Sequence, residues 1–289
     1  KRCIEYGLKR AIAEGRLTPY EYHPVPVVLT VEERERYLDL TRQIGRCIIK
    51  KRNGKKELNE KGKKLAIERA RLVAGAAAKG ITLKNLMQEH LDDHYMLVYC
   101  GAARLLEQAD DEIVIDEDIR QVDYISRMLN FDLGMETAQF TSRENAQERQ
   151  SRLQDFADGE IQALVAIRCL DEGVNVPAIR TAFILASTTN PKEYIQRRGR
   201  VLRRYPGKEK AVIYDFVTLP RALDEVVSQP EEMAQQEKGL IKNELSRMKE
   251  FMDLSMQPQE GERLYDEMVD AYELYDFAAQ QITDDTWEE

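Results

Sequence analysis

The residues best suited to chemistry are arginines, and five of them fall within eight positions near residue 200, in the segment YIQRRGRVLRR. Arg200 and Arg203 lie three residues apart, so a helix would place both side chains on one face. Each guanidinium group offers a planar fork of donors, which suits the oxygen atoms of a polyphosphate. Gly199 would let the backbone approach such a ligand closely. The composition fits equally well an exposed basic helix that contacts only solvent or the phosphates of a nucleic acid.

A second candidate segment, LDEGVNVP, runs from Leu170 to Pro177 directly after a predicted strand at 161–167. In an open parallel sheet, ligands bind at the edge formed by the carboxyl ends of the strands. A loop at that edge with Gly173 and Pro177 is therefore a candidate ligand site. Taken alone, the segment is better explained as an ordinary turn between two strands.

Short apolar runs alternate with amphipathic segments from residue 95 onward, which is the pattern of an α/β fold. Strands that alternate with helices of about a dozen residues indicate a parallel sheet covered by helices on both faces. The predicted strands are 96–100, 137–141, 161–167, 181–185 and 211–217. The predicted helices are 119–129, 145–156 and 192–202.

The segment before residue 95 is predicted to be a connector followed by helices. Prolines at 19, 24 and 26 favour an extended run that ends at Thr30, because proline cannot continue a helix. Thr30 and Glu33 form a capping box that should begin a helix, and helical spacing returns over 65–91. The lysine-rich stretch 50–64 is predicted to be a solvated loop, and the alternative is an arm that contacts phosphates.

The predicted organisation has three parts. These are a connector and helical region over 1–94, an α/β domain over 95–225, and an acidic helical extension over 226–289. The first residue is Lys1 rather than methionine, so we expect the chain to be a piece of a longer protein.

The net charge of −9 hides a strong asymmetry along the chain. Residues 46–72 carry eleven Lys and Arg against three Glu, and residues 192–210 carry eight against two acidic residues. Residues 221–289 carry six basic residues against nineteen acidic ones. Local basic patches, rather than net charge, set the affinity for phosphates. The overall acidity therefore does not exclude nucleic acid as a partner.

Neither a membrane segment nor a disulfide framework is predicted. The chain has no run of about 18 apolar residues, and its first residues lack the apolar centre of a signal peptide. The four cysteines, Cys3, Cys47, Cys100 and Cys169, are widely spaced and form no CxxC pair. Such spacing suits a reducing cytoplasm. We expect a cytoplasmic protein without a metal site of its own and without membrane contact.

The two candidate segments together resemble motifs of superfamily 2 helicases. Gln196-xx-Gly199-Arg200-xx-Arg203 resembles motif VI, and Leu170 to Pro177 resembles motif V. Met96 to Gly101 stands where motif IV is expected. The strings LDEGVNVP, QRRGRVLRR and GKEKAVIYDF are most similar to the branch of the nucleotide-excision-repair helicases and the restriction-enzyme translocases. The resemblance covers about residues 95–220 closely and implies a second RecA-like domain.

The resemblance implies a nucleotide site at the interdomain cleft. Arg200 and Arg203 would be arginine fingers that neutralise charge on the γ-phosphate, a contribution on the order of 10³–10⁵ in rate. Gln196 would order that site. Glu172, Gly173 and Asn175 would lie at the ATP and interdomain cleft. Asn175 departs from the family, which usually has Asp at this position, so a ribose or arginine contact would be weaker.

The resemblance also implies contacts to the backbone of one nucleic-acid strand. Cys100 and Gly101 would contribute main-chain N–H groups, and Thr141 and Ser142 would contribute hydroxyl groups. Such contacts position a strand without reading its sequence. Many relatives have Thr-Asp where this chain has Ile167-Arg168, so a hydroxyl contact is replaced here by Arg168, which would bind a phosphate.

The sequence contains no GxxxxGK[ST] loop, so nothing in it would cradle a β-phosphate. The run 113–117, IVIDE, resembles an acidic magnesium motif but follows the motif IV strand, which is the wrong order. We interpret it as a short strand or turn, with Asp116 or Asp118 capping the next helix. ATP with Mg²⁺ would therefore be bound mainly by a first RecA-like domain that precedes Lys1. The chain alone would not hydrolyse ATP, and the alternative is a stand-alone module that binds nucleic acid, with DNA preferred, or a partner protein.

Overall fold

The computed structural model describes residues 8–50, 54, 56–101, 116–141, 143–167, 176, 178–185, 199 and 201–285. Six strands in this part form one sheet, in which every neighbouring pair is parallel. The strand order is β1-β8-β7-β4-β6-β5. The strands are β1 (Tyr20–Val28), β4 (Met96–Cys100), β5 (Thr137–Phe140), β6 (Ala163–Ile167), β7 (Thr181–Ile184) and β8 (Ala211–Leu219). The predicted α/β, RecA-like parallel sheet is confirmed.

Helices cover both faces of this sheet, as predicted. On one face, α4 and α5 pack over an apolar cluster that includes Leu83 and Ile125. On the other face, α6, α8 and α9 pack over a larger cluster that includes Phe156 and Ile241. The helices are α1 (Leu8–Ala13), α2 (Val31–Arg46), α3 (Glu60–Ala74), α4 (Ala77–Met87), α5 (Asp116–Arg127), α6 (Ala146–Ala157), α7 (Leu223–Val226), α8 (Glu231–Met252), α9 (Pro258–Ala271) and α10 (Tyr275–Asp285).

The predicted connector contributes an edge strand to the sheet. β1 pairs with β8 along its whole length, from Tyr20 opposite Ala211 to Val28 opposite Leu219. An edge position tolerates Pro24 and Pro26 because a missing N–H group costs no ladder hydrogen bond on the open side. The domain boundaries at residues 94 and 225 remain proposals, and the sheet takes one of its strands from before residue 94.

The helix that follows β1 begins as predicted, but the lysine-rich stretch differs from the prediction. Thr30 and Glu33 form the predicted capping box at the start of α2. The expected loop over 50–64 instead contains a small antiparallel hairpin of β2 (Ile48–Lys50) and β3 (Lys56–Leu58), and α3 already begins at Glu60. The β-branched pair before Lys50 favours a strand, and Asn59 caps α3 by accepting a hydrogen bond from the N–H of Gly62 at 2.8 Å.

The acidic C-terminal region packs tightly against the sheet. Its helix α8 buries an apolar face against β1 and β8, and it carries charged side chains that are also buried. Arg221 and Glu237 form one buried ion pair at 2.6 Å, and Arg247 and Asp215 form another at 3.0 Å. The last helix of this region, α10, extends to Asp285, and residues 286–289 lie outside the described residues. Of the predicted short strand or turn over 113–117, residues 113–115 lie outside the described part and residues 116–117 begin α5. The side chains of Asp116 and Asp118, which were predicted to cap this helix, are also outside the described part.

Among the helices that the structure describes, none is both long enough and apolar enough to cross a membrane.

Candidate nucleotide and nucleic-acid site

Three of the residues predicted to bind a nucleic-acid strand lie at the carboxyl edge of the sheet. β6 lies between β4 and β5 in the sheet, so Cys100 and Gly101 at the end of β4 are one strand away from Thr141 at the end of β5, on the same edge. Ser142 and Arg168, which were predicted to act with them, lie outside the described residues. The structure therefore places three of the five residues in the predicted nucleic-acid-binding set at one edge of the sheet.

Gly101 lets the end of β4 approach β6 closely. Its φ angle is +98°, a conformation that favours glycine. A Cβ atom at this position would lie 2.6 Å from Cγ1 of Ile167. The N–H group of Gly101 donates to Oε1 of Gln121 at 3.1 Å, and Nε2 of Gln121 donates to the carbonyl of Ala74 at 3.1 Å. The turn is thus held by a side chain of α5, which also connects it to the end of α3.

Cys100 is fully buried beside this turn. Burial raises the pKa of its thiol well above the usual range, so the side chain stays protonated. A neutral, buried thiol behaves as a small apolar group. Any contact from this residue to a nucleic acid would have to come from the main chain.

The hydroxyl group of Thr141 is occupied within its own turn. Thr141 is 1% exposed, and its hydroxyl donates to Oε2 of Glu144 at 3.0 Å while it accepts from the N–H of Arg143 at 3.1 Å. Its main-chain N–H also donates to Oε2 of Glu144, at 2.6 Å. Thr141 therefore shapes the turn in this structure, whereas the sequence resemblance implied a direct contact with a phosphate.

Arginines around this turn were not found from the sequence. Burial disfavours the charge of Glu144, but hydrogen bonds from Thr141 and Arg152 outweigh burial and lower the pKa of its carboxyl group. Arg152 pairs with Glu144 at 2.7 Å, and Arg149 donates to the carbonyl of Thr141 at 2.8 Å. Arg143 is exposed. The spacing of Arg149 and Arg152, one turn apart on α6, was the available signal for a basic group at this edge.

Arg203, one of the two predicted arginine fingers, lies away from these turns. Its backbone forms an antiparallel bridge with Leu17, three residues before β1 begins, and the N–H of Thr18 donates to the carbonyl of Leu202 at 2.7 Å. Arg203 is therefore near the amino-terminal ends of β1 and β8, whereas Gly101 and Thr141 are at the carboxyl edge. Its side chain is exposed.

The other predicted nucleotide-site residues, Glu172, Gly173, Asn175, Gln196 and Arg200, lie outside the described residues. Gly199 and Val201, on either side of Arg200, are helical. The predicted helix over 192–202 therefore agrees with the structure at the positions that are described near its end.

Lys208 holds the end of this helix. Its Nζ atom donates to the carbonyl of Val201 and, at 3.1 Å, to that of Arg203. Burial lowers the pKa of Lys208 to about 8, and the nearby charge of Arg180 acts in the same direction. A positive charge at the carbonyl end of a helix is favourable because it complements the partial negative charge there. The backbone that carries Arg203 is thus fixed on two sides, by Lys208 and by the connector before β1.

Part of the chain is similar to known proteins. Residues 78–205 match the family described as helicase conserved C-terminal domain. A stretch of 79 residues, 27% of this chain, is 37% identical to "DNA 3'-5' translocase XPB2" of Sulfurisphaera tokodaii, and it spans 17% of that protein.

Two solved structures are similar in part. The C-terminal part of the Fun30 ATPase domain is 10% identical, with 78% of this chain and 97% of that chain covered and a TM-score of 0.49. The Sulfolobus solfataricus SWI2/SNF2 ATPase core in complex with dsDNA is 13% identical, with 82% and 50% covered and a TM-score of 0.49. The family match over residues 78–205 lies within the part of the chain that forms strands β4 to β7 of the parallel sheet, so this part of the chain is similar to a helicase conserved C-terminal domain.

Proposed function

We propose that this chain is the second motor domain of an ATP-dependent DNA translocase or helicase. The observation that carries the proposal is Arg203, an exposed arginine whose backbone is fixed by Lys208 and by Leu17 within a helicase C-terminal domain. A fixed backbone with an exposed guanidinium group suits a residue that must meet a phosphate on a separate domain. DNA is proposed over RNA because the relative with 37% identity is named as a DNA translocase.

ATP would bind between this domain and a first RecA-like domain that carries the phosphate loop, since this sequence contains no such loop. That first domain would also hold Mg²⁺, which neutralises charge on the phosphates when it is bound. Arg200 and Arg203 would approach the γ-phosphate when the two domains close, with Gln196 ordering the site. Glu172, Gly173 and Asn175 would line the same cleft. Water would displace ADP from the γ-phosphate, and departure of the inorganic phosphate would remove the charge that the arginines contact, so the domains would separate.

The carboxyl edge of the sheet would hold one DNA strand while the domains open and close. The main chain at Cys100-Gly101, the turn that begins at Thr141 and the exposed side chain of Arg143 are the proposed contacts, together with Ser142 and Arg168. Glu144 supports this role because its hydrogen bonds to Thr141 fix the shape of the turn. The two domains would close and open repeatedly, with the carboxyl edge of the sheet bound to one DNA strand and the arginines bound to ATP. This cycle would move the protein along DNA.

The hairpin of β2 and β3 is a second proposed DNA contact. Lys50 lies directly opposite Lys56 in its ladder, both are exposed, and neither forms an ion pair with a described carboxylate. Like charges that face each other across a ladder are destabilising unless an anion lies between or beside them. A two-stranded ribbon also fits the major groove of a duplex. We propose that this hairpin contacts the phosphates of duplex DNA without reading its sequence.

The resemblance to repair helicases and restriction-enzyme translocases supports a task in DNA repair or restriction. The widely spaced cysteines, of which Cys47 and Cys100 are free thiols, support a cytoplasmic location.

The test is DNA-stimulated ATP turnover of the full-length protein with Arg200→Ala and Arg203→Ala. Each change should lower turnover by about 10³-fold or more while ATP binding is largely retained. Arg263→Ala is the matched control, because Arg263 is an exposed arginine on α9 that pairs only with surface Glu267 in the described structure. Unchanged turnover in both variants would remove the arginine-finger assignment. DNA binding without any ATP turnover in the wild-type protein would favour the alternative, a stand-alone binding module.

A further inference from the structure

Lys79 is a fully buried lysine on α4, on the face of the helix that packs against the sheet. Its Nζ atom donates to the carbonyl oxygen of Leu185 at 2.6 Å. Leu185 directly follows β7, which lies between β8 and β4 in the sheet. Lysine is rarely buried without a specific polar contact, because an apolar residue of similar size fills the same space without desolvating a charge. The position of this ammonium group therefore indicates a role for its contact with Leu185.

Lys79 belongs to a buried cluster of charges that includes residues of the C-terminal region. Glu244 and Arg247 are on α8, and Asp215 is on β8. Arg247 donates to Asp215 at 3.0 Å and pairs with Glu244 at 2.5 Å. Glu244 also accepts from the N–H of Thr218, at 3.2 Å. With Lys79, the cluster holds two positive and two negative charges, so its formal charge is balanced.

The protonation of Lys79 depends on this cluster. Burial lowers the pKa of Lys79 to about 8, and the charge of Glu244 is the largest influence that raises it. Arg247 acts in the same direction as burial, while Asp215 and Glu33 act with Glu244. Glu244 therefore favours the ammonium form of Lys79, which donates to Leu185 most strongly.

The start of α4, the helix that carries Lys79, is fixed by hydrogen bonding to Glu33. Glu33 accepts from the N–H of Thr30 at 2.9 Å and, through its other carboxylate oxygen, from the N–H of Ala77 at 2.8 Å. One carboxylate thus caps both α2 and α4. Since Ala77 is the first residue of α4, Lys79 is held two residues from an anchored helix start.

We propose that Lys79 is a positioning residue that fixes the carboxyl end of β7 through its hydrogen bond to Leu185. Leu185 stands fifteen residues before Arg200 in the sequence. Fixing this strand end would support the arginine segment that follows it, without any contact between Lys79 and ATP. The inference rests on the proposed function for its consequence in catalysis, but the positioning of β7 can be tested independently of it.

The first experiment measures backbone hydrogen exchange in the full-length protein with Lys79→Met. Methionine keeps the volume and removes the donor. The amide of Leu185 donates to the carbonyl of Tyr99 at 3.0 Å, so its exchange rate reports whether the end of β7 remains paired. We expect exchange at Leu185 to accelerate at least about tenfold. Lys84→Met is the control, because Lys84 is on the same helix but makes only a surface pair with Asp132 among the described residues.

A second variant separates positioning from charge balance. Lys79→Met leaves an excess buried negative charge, which lowers stability and would by itself change exchange. Combining Lys79→Met with Glu244→Gln restores the balance, with Arg247 and Asp215 still paired. In the doubly substituted protein, thermal stability should return towards the wild-type value, while hydrogen exchange at Leu185 stays fast. DNA-stimulated kcat should stay at least about tenfold below that of wild type, and the KM for ATP should change little.

Two outcomes would overturn the proposal. If the doubly substituted protein recovers both slow exchange at Leu185 and full turnover, Lys79 is only a charge partner in the core. Unchanged exchange in Lys79→Met alone leads to the same conclusion. If the wild-type protein shows no ATP turnover, the proposed function fails, but the exchange rates still decide whether Lys79 positions β7.

Discussion

The ammonium group of Lys208 donates to the main-chain oxygen of Arg203 at 3.1 Å and to that of Val201. Lys208 is 9% exposed, so these hydrogen bonds are largely shielded from water. Arg203 must keep its backbone fixed if its side chain is to meet a phosphate at the right distance. Lys208 therefore connects the fold at the start of β8 directly to the proposed nucleotide site.

Replacing Lys208 should lower catalysis more than stability. Lys208→Met removes two hydrogen bonds to the helix end, so we expect DNA-stimulated kcat to fall about tenfold, equivalent to about 1.4 kcal/mol in the transition state. ATP binding should change little. Lys210→Met is the matched control, because Lys210 is two residues away and pairs with Glu21 at the surface. Equal turnover in the two variants would show that Lys208 has no part in placing Arg203.

Stability should rise with pH in the alkaline range because of two buried lysines. The pKa values of Lys79 and Lys208 are lowered to about 8 from an ordinary value of 10.5. Between these two values the unfolded chain binds more protons than the folded chain, so the free energy of unfolding increases with pH. Each lysine contributes at most about 1.4 kcal/mol per pH unit.

Denaturant unfolding at several pH values from about 8 to about 10 measures this slope. Lys208→Met should show a smaller rise than wild type, since methionine binds no proton in either state. Lys210→Met should keep the wild-type slope. A wild-type slope in Lys208→Met would mean that its ammonium group titrates normally in the folded protein.

The acidic C-terminal region is expected to be required for folding. Arg247→Met leaves Asp215 and Glu244 buried without their partner, which should cost about 3–5 kcal/mol. The predicted free energy of unfolding in Arg263→Met stays within about 0.5 kcal/mol of wild type, because Arg263 is on the surface. Urea denaturation of both variants measures the difference. A loss of less than about 1 kcal/mol in Arg247→Met would contradict the buried ion-pair cluster.

Local patterns predicted most of the sheet, because burial of alternate or successive residues is visible within a few positions of sequence. β4 was predicted at its observed bounds, and β5 to β8 were predicted to within two residues. The pairing of β1 with β8 was not predicted, because it joins segments from opposite ends of the chain. The hairpin of β2 and β3 was missed because each strand has only three residues.

The site was less predictable than the fold. The family resemblance assigned Gly101 and Thr141 to one nucleic-acid-binding set, and both lie at the carboxyl edge, but the sequence could not show that Glu144 accepts a hydrogen bond from the hydroxyl of Thr141. No sequence motif marks Lys79 or Lys208 as a buried lysine. Only the structure shows that both are buried and donate to main-chain carbonyl groups. Arg200 and Gln196 lie outside the described residues, so their roles stay predictions.

Gly101 should tolerate no side chain. Gly101→Ala combines an unfavourable positive φ with a Cβ atom 2.6 Å from Ile167, so we expect a loss of about 2 kcal/mol or more. Gly134→Ala isolates the first effect, because Gly134 has a φ of +70° and a Cβ atom there would meet no other atom within 4 Å. It should cost about 1 kcal/mol. Thermal unfolding of both variants gives the comparison, and equal losses would show that close approach to β6 is unimportant.

The hairpin prediction concerns the dependence of DNA binding on salt. Replacing Lys50 and Lys56 together by Gln should reduce the slope of log Kobs against log salt concentration by about 1.8, if each lysine neutralises one phosphate of a duplex. Stability should not fall, since the change removes a repulsive pair opposite each other in the ladder. Lys84→Gln controls for the loss of a lysine elsewhere on the surface. Titrations with duplex and single-stranded DNA at several salt concentrations supply the slopes. A smaller salt slope with duplex DNA alone would support binding of the β2–β3 hairpin in the groove. Unchanged slopes with both duplex and single-stranded DNA would leave the hairpin with a structural role only.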